Sequence, residues 1–139
     1  MTATRSDTDA STADKAAVAA VPGPTEVDIN TATIVGTLSS DPIERTLPSG
    51  DQLVSFEITT RVVGEATRSV PVAWTSPKPS WRSLAAGDRV VATGQVVRRF
   101  FRAGGSTVSR TEVVAEAVQR DRPAARQRII KRARARIET

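Results

Sequence analysis

From Asp28 to Gln119 apolar side chains come in short runs that tend to alternate with polar ones and are cut by glycine and proline, the spacing of half-buried strands. The first run, Asp28 to Leu38, is β-branched and carries Gly36, which inside a strand marks a bend or a close backbone approach. Asp41-Pro42 and Pro48-Ser49-Gly50 are turn chemistry, and a second strand comes after them over Leu53–Val62. Val63-Gly64-Glu65-Ala66 makes a short hairpin into a third strand, Thr67–Thr75. Pro77 and Pro79 end it, and Trp81, Leu84 and Ala85 at i, i+3 and i+4 before Gly87 predict one short helix. Arg89–Phe101 and Thr107–Gln119 are the two longest strand patterns, joined by Arg102-Ala103-Gly104-Gly105-Ser106, whose glycines permit the positive φ of a hairpin turn. Five strands with a helix between the third and fourth is the order of the OB-fold, an all-β Greek-key barrel whose face and loops bind oligonucleotides.

Composition narrows the function. The chain has 139 residues, with 20 Lys plus Arg against 15 Asp plus Glu, a formal charge of +5, and no His or Cys. That excludes disulfides, thiolate nucleophiles and the commonest general base and metal ligand. Asp41 and Glu44 lie close enough to hold a divalent ion but have no third ligand, and neither Gly-x-Ser-x-Gly nor Ser-x-x-Lys occurs. The chain therefore reads as a non-enzyme with no cofactor, no metal and no small-molecule substrate. Ala16–Val21, the longest apolar stretch near the N-terminus, comes after Asp7, Asp9 and Asp14, which fits neither a secretory leader nor a membrane span and predicts a cytoplasmic protein.

The positive charge is not spread evenly. Residues 1–25 are Thr, Ala, Ser and Asp ending in Val21-Pro22-Gly23-Pro24, too poor in large apolar groups to offset ordering entropy, and predict a disordered arm. Residues 26–119, the folding unit, are formally neutral. Residues 120–139 carry eight basic side chains against Asp121 and Glu138, with Ile129, Ile130, Ala133 and Ile137 at near-helical spacing. This suits a basic tail that turns helical on meeting a partner, its arginines gripping phosphates.

Specific residues sharpen the fold. Asn30-Thr31-Ala32-Thr33-Ile34-Val35-Gly36-Thr37-Leu38-Ser39-Ser40-Asp41-Pro42, Pro48-Ser49-Gly50, Val54-Ser55-Phe56, Val72-Ala73-Trp74, Ala86-Gly87-Asp88-Arg89-Val90, Gly94-Gln95-Val96 and Thr111-Glu112-Val113-Val114-Ala115 succeed one another in the order and approximate spacing of the bacterial single-stranded DNA-binding protein (SSB) family. Over about residues 27–119 the chain resembles a divergent SSB. The resemblance implies an OB-fold that binds single-stranded DNA as a homo-oligomer, usually a tetramer, in replication, recombination or repair at the nucleoid. Three departures stand out: the hairpin over Val62–Thr67 is short and ringless, Arg68 falls near where an aromatic usually sits, and the basic tail replaces the flexible linker and acidic tip that recruit partner proteins.

Binding single strands without sequence preference needs a cationic groove and aromatic faces for stacking. Phe56 and Trp81 read as core. Trp74 shares strand parity with Val70 and Val72 and so points inward by strict alternation, whereas the resemblance puts it at a base-stacking position that a bulge near Pro71 would reconcile. Phe100 and Phe101 are adjacent and point to opposite sides; Phe101 shares the polar parity of Arg99 and Gln95 and is the leading stacking candidate. Arg98, Arg99, Arg102 and Arg110 on the last hairpin, with Arg61 and Arg68 flanking the shortened one, complete the candidate interface. Arg126, Arg128, Lys131, Arg132, Arg134 and Arg136 are the candidate phosphate contacts of the tail. The alternatives are an OB-fold that takes RNA or duplex, and a protein-interaction paralogue of a conventional SSB.

Overall fold

A computed structural model of the chain describes residues 26–138; the arm expected over residues 1–25 lies outside them. Its elements are β1 (Ala32–Leu38), β2 (Ile43–Thr46), β3 (Gln52–Thr60), β4 (Arg68–Thr75), a 3-10 turn (Pro79–Ser83), β5 (Arg89–Ala103), β6 (Ser106–Arg120) and α1 (Pro123–Glu138). The strands lie in the order β1-β5-β6-β4-β3-β2, and β1 also pairs with β3 through Thr37↔Thr59 and Leu38↔Ile58, which closes the sheet into a ring. Because β1 and β2 take successive stretches of one edge of β3, they act as a single strand interrupted at Ser39–Pro42. Gly36 sits where β1 crosses β3: a Cβ there would lie 2.4 Å from the Thr59 carbonyl oxygen.

The ring is filled by the inward positions of alternating strands. Val54, Phe56 and Ile58 of β3, Val72 and Trp74 of β4, and Val90 and Ala92 of β5 form one buried cluster with Leu38, Val113, Ala115 and Val118. β6 changes parity within this set, since Val113 and Ala115 are two apart but Val118 is three further on. The register shows why: Thr93 pairs with Ala117 and Gly94 with Ala115, so Glu116 is an extra, unpaired residue, a β-bulge. Gly94 is required opposite it, because a Cβ would stand 2.0 Å from the Val114 carbonyl oxygen and 2.7 Å from the Ala115 Cα.

The bulge also sets where the C-terminal helix docks. Glu116 leaves the ladder and pairs with Arg136 and, at 3.3 Å, with Arg132. α1 packs against β1, β5 and β6 and buries Ala125, Ile129 and Ala133, one residue per helical turn. Beneath it Val91 and Thr93, on the face of β5 opposite Val90 and Ala92, are fully buried. Burial of an Ile side chain such as Ile129 contributes about 1.5–3 kcal/mol, against about 0–1 kcal/mol for each partly exposed Glu116 ion pair. The apolar stripe supplies most of the docking energy, and the ion pairs fix its register. At the start of the helix Asp121 accepts two hydrogen bonds from Arg126, at 2.9 and 2.6 Å, and lies 3.8 Å from Arg89.

Two expectations are corrected here. The sheet has six strands, because β2 adds a short exposed segment with no alternation to betray it. Between the third and fourth predicted strands there is no α-helix; the segment after Pro79 makes only i+3 bonds, Trp81 N–H to Lys78 and Leu84 N–H to Trp81, and the α-helix is C-terminal instead. In a 3-10 turn residues i and i+3 eclipse, so Trp81 and Leu84 both still pack on the core while Ala85 is exposed. The compositional break at Gln119 lies one residue short of the end of β6, and the residues from Pro123 onward form a docked helix.

Two measurements test this architecture. Gly94→Ala should lower the unfolding free energy by about 1–3 kcal/mol, because the clash is with backbone that no rotamer change relieves; an unchanged denaturant midpoint would show that the strands are not that close. The Arg126 hydrogen bonds hold the Asp121 carboxyl below its usual value, with smaller help from the Arg126 and Arg89 charges against a desolvation penalty. A depressed carboxylate stabilises the fold fully above its unfolded value, about 4, and loses that contribution as pH falls through the lower folded value. Asp121→Asn should therefore be less stable than wild type at neutral pH, and the gap should close below about pH 4.

Candidate nucleic-acid interface

β5 and β6 continue past the ring as a two-stranded arm, turned by Gly104 (φ 58°) and Gly105 (φ 82°), the two positive-φ residues that a tight hairpin turn matching strand twist demands. Its residues alternate between two faces, with Arg99↔Arg110, Phe101↔Val108 and Val97↔Glu112 as directly opposed pairs on one of them. That face borders a cleft of about 550 Å³ whose other wall is Arg45 of β2 with Leu53 and Ser55 of β3. Leu53 is buried and Ser55 half-buried, since both lie on the outer side of β3, opposite Val54 and Phe56. The cleft is thus built on the outside of the ring, roofed by an arm whose two strands stay paired to the turn.

Two guanidiniums directly opposite one another on a hairpin repel. Glu112 resolves this: its carboxylate lies 2.5 Å from the Arg99 Nε and 3.8 Å from the Arg110 Nε, and its side chain is only 9% exposed. Both arginines meet it through Nε, which leaves their terminal nitrogens to donate elsewhere. With Arg45 added, the cleft keeps a net positive charge on partly preordered guanidiniums, which suits a phosphate better than a flexible ammonium does. Phe101 is 47% exposed and pairs across the hairpin with Val108. Phe100, 66% exposed, also lines the cleft and carries the Arg98 guanidinium 5.2 Å from its ring centre. Among the described residues no group of three or more Asp, Glu, His or Cys could hold a metal ion.

The structure brings together Arg99, Phe101 and Arg110 of the residues singled out from sequence. Arg98 and Arg102 are on the same arm but turned from the cleft, bonded to Ser109 and to the Gly105 carbonyl. Arg68 pairs with Thr60 and Arg61 comes next along the chain, at the end of the β3–β4 hairpin remote from Leu53. Trp74 as a stacking platform is overturned: it is 2% exposed inside the ring, and β3 and β4 pair from Leu53 to Arg68 without the bulge that would have turned it outward. Strict alternation decides its direction.

In the tail, Arg126 is committed to Asp121, Arg128 to the Gln119 side chain, and Arg132 and Arg136 to Glu116. Lys131 and Arg134 are exposed. The sequence reading missed Arg45, which sits on the patternless β2, and Glu112, a lone acid two residues from Arg110 and so on the same strand face. That i, i+2 spacing was the available signal.

No family model matches the sequence, and no curated protein matches it. Among solved structures, the fold is similar to that of the Plasmodium falciparum SSB in complex with ssDNA, with a TM-score of 0.60 at 18% identity, over 70% of this chain and 98% of that one. The likeness shows an SSB-like OB-fold.

Proposed function

We propose that this protein binds single-stranded DNA without strong sequence preference, by stacking a base on Phe101 while Arg99, Arg110 and Arg45 hold the neighbouring phosphates. The observation that carries the reading is the cleft itself: an exposed aromatic ring beside three guanidiniums, on the outer face of an OB-like ring and under its last hairpin, where OB-folds take oligonucleotides. The solved SSB whose fold it shares holds ssDNA, which supports the same ligand class here. A sequence-tolerant mode fits because every base has a π-face, and phosphate contacts carry no sequence information. Action in the cytoplasm during replication, recombination or repair, without catalysis and as a homo-oligomer, completes the proposal.

Titration of a labelled oligo-dT by anisotropy tests it. Phe101→Ala should cost about 1–3 kcal/mol, roughly 5- to 150-fold in affinity. Arg99→Ala should weaken binding and reduce the slope of log K against log salt by about 0.7. Trp74→Phe should leave affinity unchanged, since only 2% of the residue is exposed and it has no free face for a base. Failure of the wild-type chain to bind oligo-dT at low salt, or full affinity in Phe101→Ala, would sink the proposal; tighter binding to duplex than to single strand would move the ligand elsewhere.

A further inference from the structure

A second basic depression lies beyond the cleft. Two adjoining cavities, about 380 and 230 Å³, run between α1 and the segment after β4, and both are lined by Trp74, Lys78, Val118, Gln119 and Arg128. Their shared floor is apolar, with Val118 and the little of Trp74 that is exposed, and the larger one adds Leu84 to the floor and Arg120 and Arg122 to the wall. Among the described residues the single carboxylate lining the groove is Glu116, in the smaller cavity, and it is already paired with Arg132 and Arg136. Arg120 is held by the Ser83 carbonyl and Asp88, and Arg128 by Gln119, so both are preordered. Lys78 and Arg122 stand exposed on opposite walls and engage no carboxylate among the described residues. A groove with cations on both walls and no free acid suits a polyanion, and an apolar floor suits the sugar and base edges between phosphates.

The position of the groove relative to the cleft gives the ligand class. β6 lines both, Arg110 and Glu112 in the cleft and Glu116 to Arg120 in the groove. Glu112 to Arg120 spans about 26 Å at roughly 3.3 Å per residue, within reach of one strand given OB-fold site sizes of about 4–16 nucleotides. We infer that the groove between α1 and the Lys78 segment is a second phosphate-binding site for the same single strand, which passes along β6 from the hairpin cleft to the docked helix. This rests on the cleft reading and adds to it. It also assigns the helix a narrower part than a general cationic tail: Lys78 and Arg122, with Arg128 and Arg120 behind them, touch the strand, whereas Arg126, Arg132 and Arg136 hold the helix in place.

The test compares oligo-dT of about four nucleotides with one of about sixteen, the two ends of the usual range. Lys78→Ala/Arg122→Ala removes two exposed side chains and should leave the thermal midpoint unchanged. With the longer oligomer it should lose roughly tenfold in affinity, and its salt slope should fall by about 1.4, two contacts at about 0.7 each. With the shorter oligomer it should match wild type. Lys131→Ala/Arg134→Ala removes equal charge from the same helix at two expected tail contacts that line neither cavity, and should lose clearly less affinity for the longer oligomer than the Lys78/Arg122 variant does. Unchanged affinity of the Lys78/Arg122 variant for both lengths, equal loss at both, or an equal loss in the Lys131/Arg134 control would overturn the groove while leaving the cleft standing. If wild type binds neither oligomer, the cleft reading has failed and the groove falls with it.

Discussion

One unpaired residue organises this molecule. Because Glu116 drops out of the β5–β6 ladder, β6 can turn Val113 and Ala115 into the ring before the bulge and Val118 into it afterwards. The same step frees the Glu116 carboxylate to meet Arg132 and Arg136 on the outside. Gly94 is the complementary constraint, since only a residue without a side chain lets the two backbones come this close. Core parity and the seat of the helix both depend on a register shift of a single residue.

Most of the barrel was legible in the sequence, because alternation is a direct statement of which face is wet. The strand runs ending at Leu38, Thr75 and Phe101 and the Gly104-Gly105 turn appear where the pattern puts them, to within a few residues. β2 was not legible: Ile43-Glu44-Arg45-Thr46 is exposed throughout and is held only by pairing with β3, a contact no local pattern encodes. Trp74 shows the opposite situation. Its neighbours Val70 and Val72 already stated its direction, and a likeness drawn from short segments pointed the wrong way.

The docked helix was half legible. Its apolar stripe could be read in Ile129 and Ala133, but its partner surface could not be recognised in isolation. The sign of that surface is the run Val90-Val91-Ala92-Thr93, buried on both faces where a strand with one wet side would alternate. A continuous apolar run in an otherwise alternating barrel announces that something covers its outside. The charge count misled for a related reason. Formal charge treats every arginine alike, yet Arg99 and Arg110 are restrained by a nearly buried carboxylate and still face the cleft, whereas Arg126, Arg132 and Arg136 are spent within the fold.

The seating of α1 over Val91 and Thr93 redraws what counts as one transferable piece. A cut at the compositional break after Gln119 would strip the roof from an oily strip of sheet and leave Glu116 without its counter-ions. The cationic end of the chain is thus masonry as much as ornament, its helix packed and ion-paired against the strands it covers.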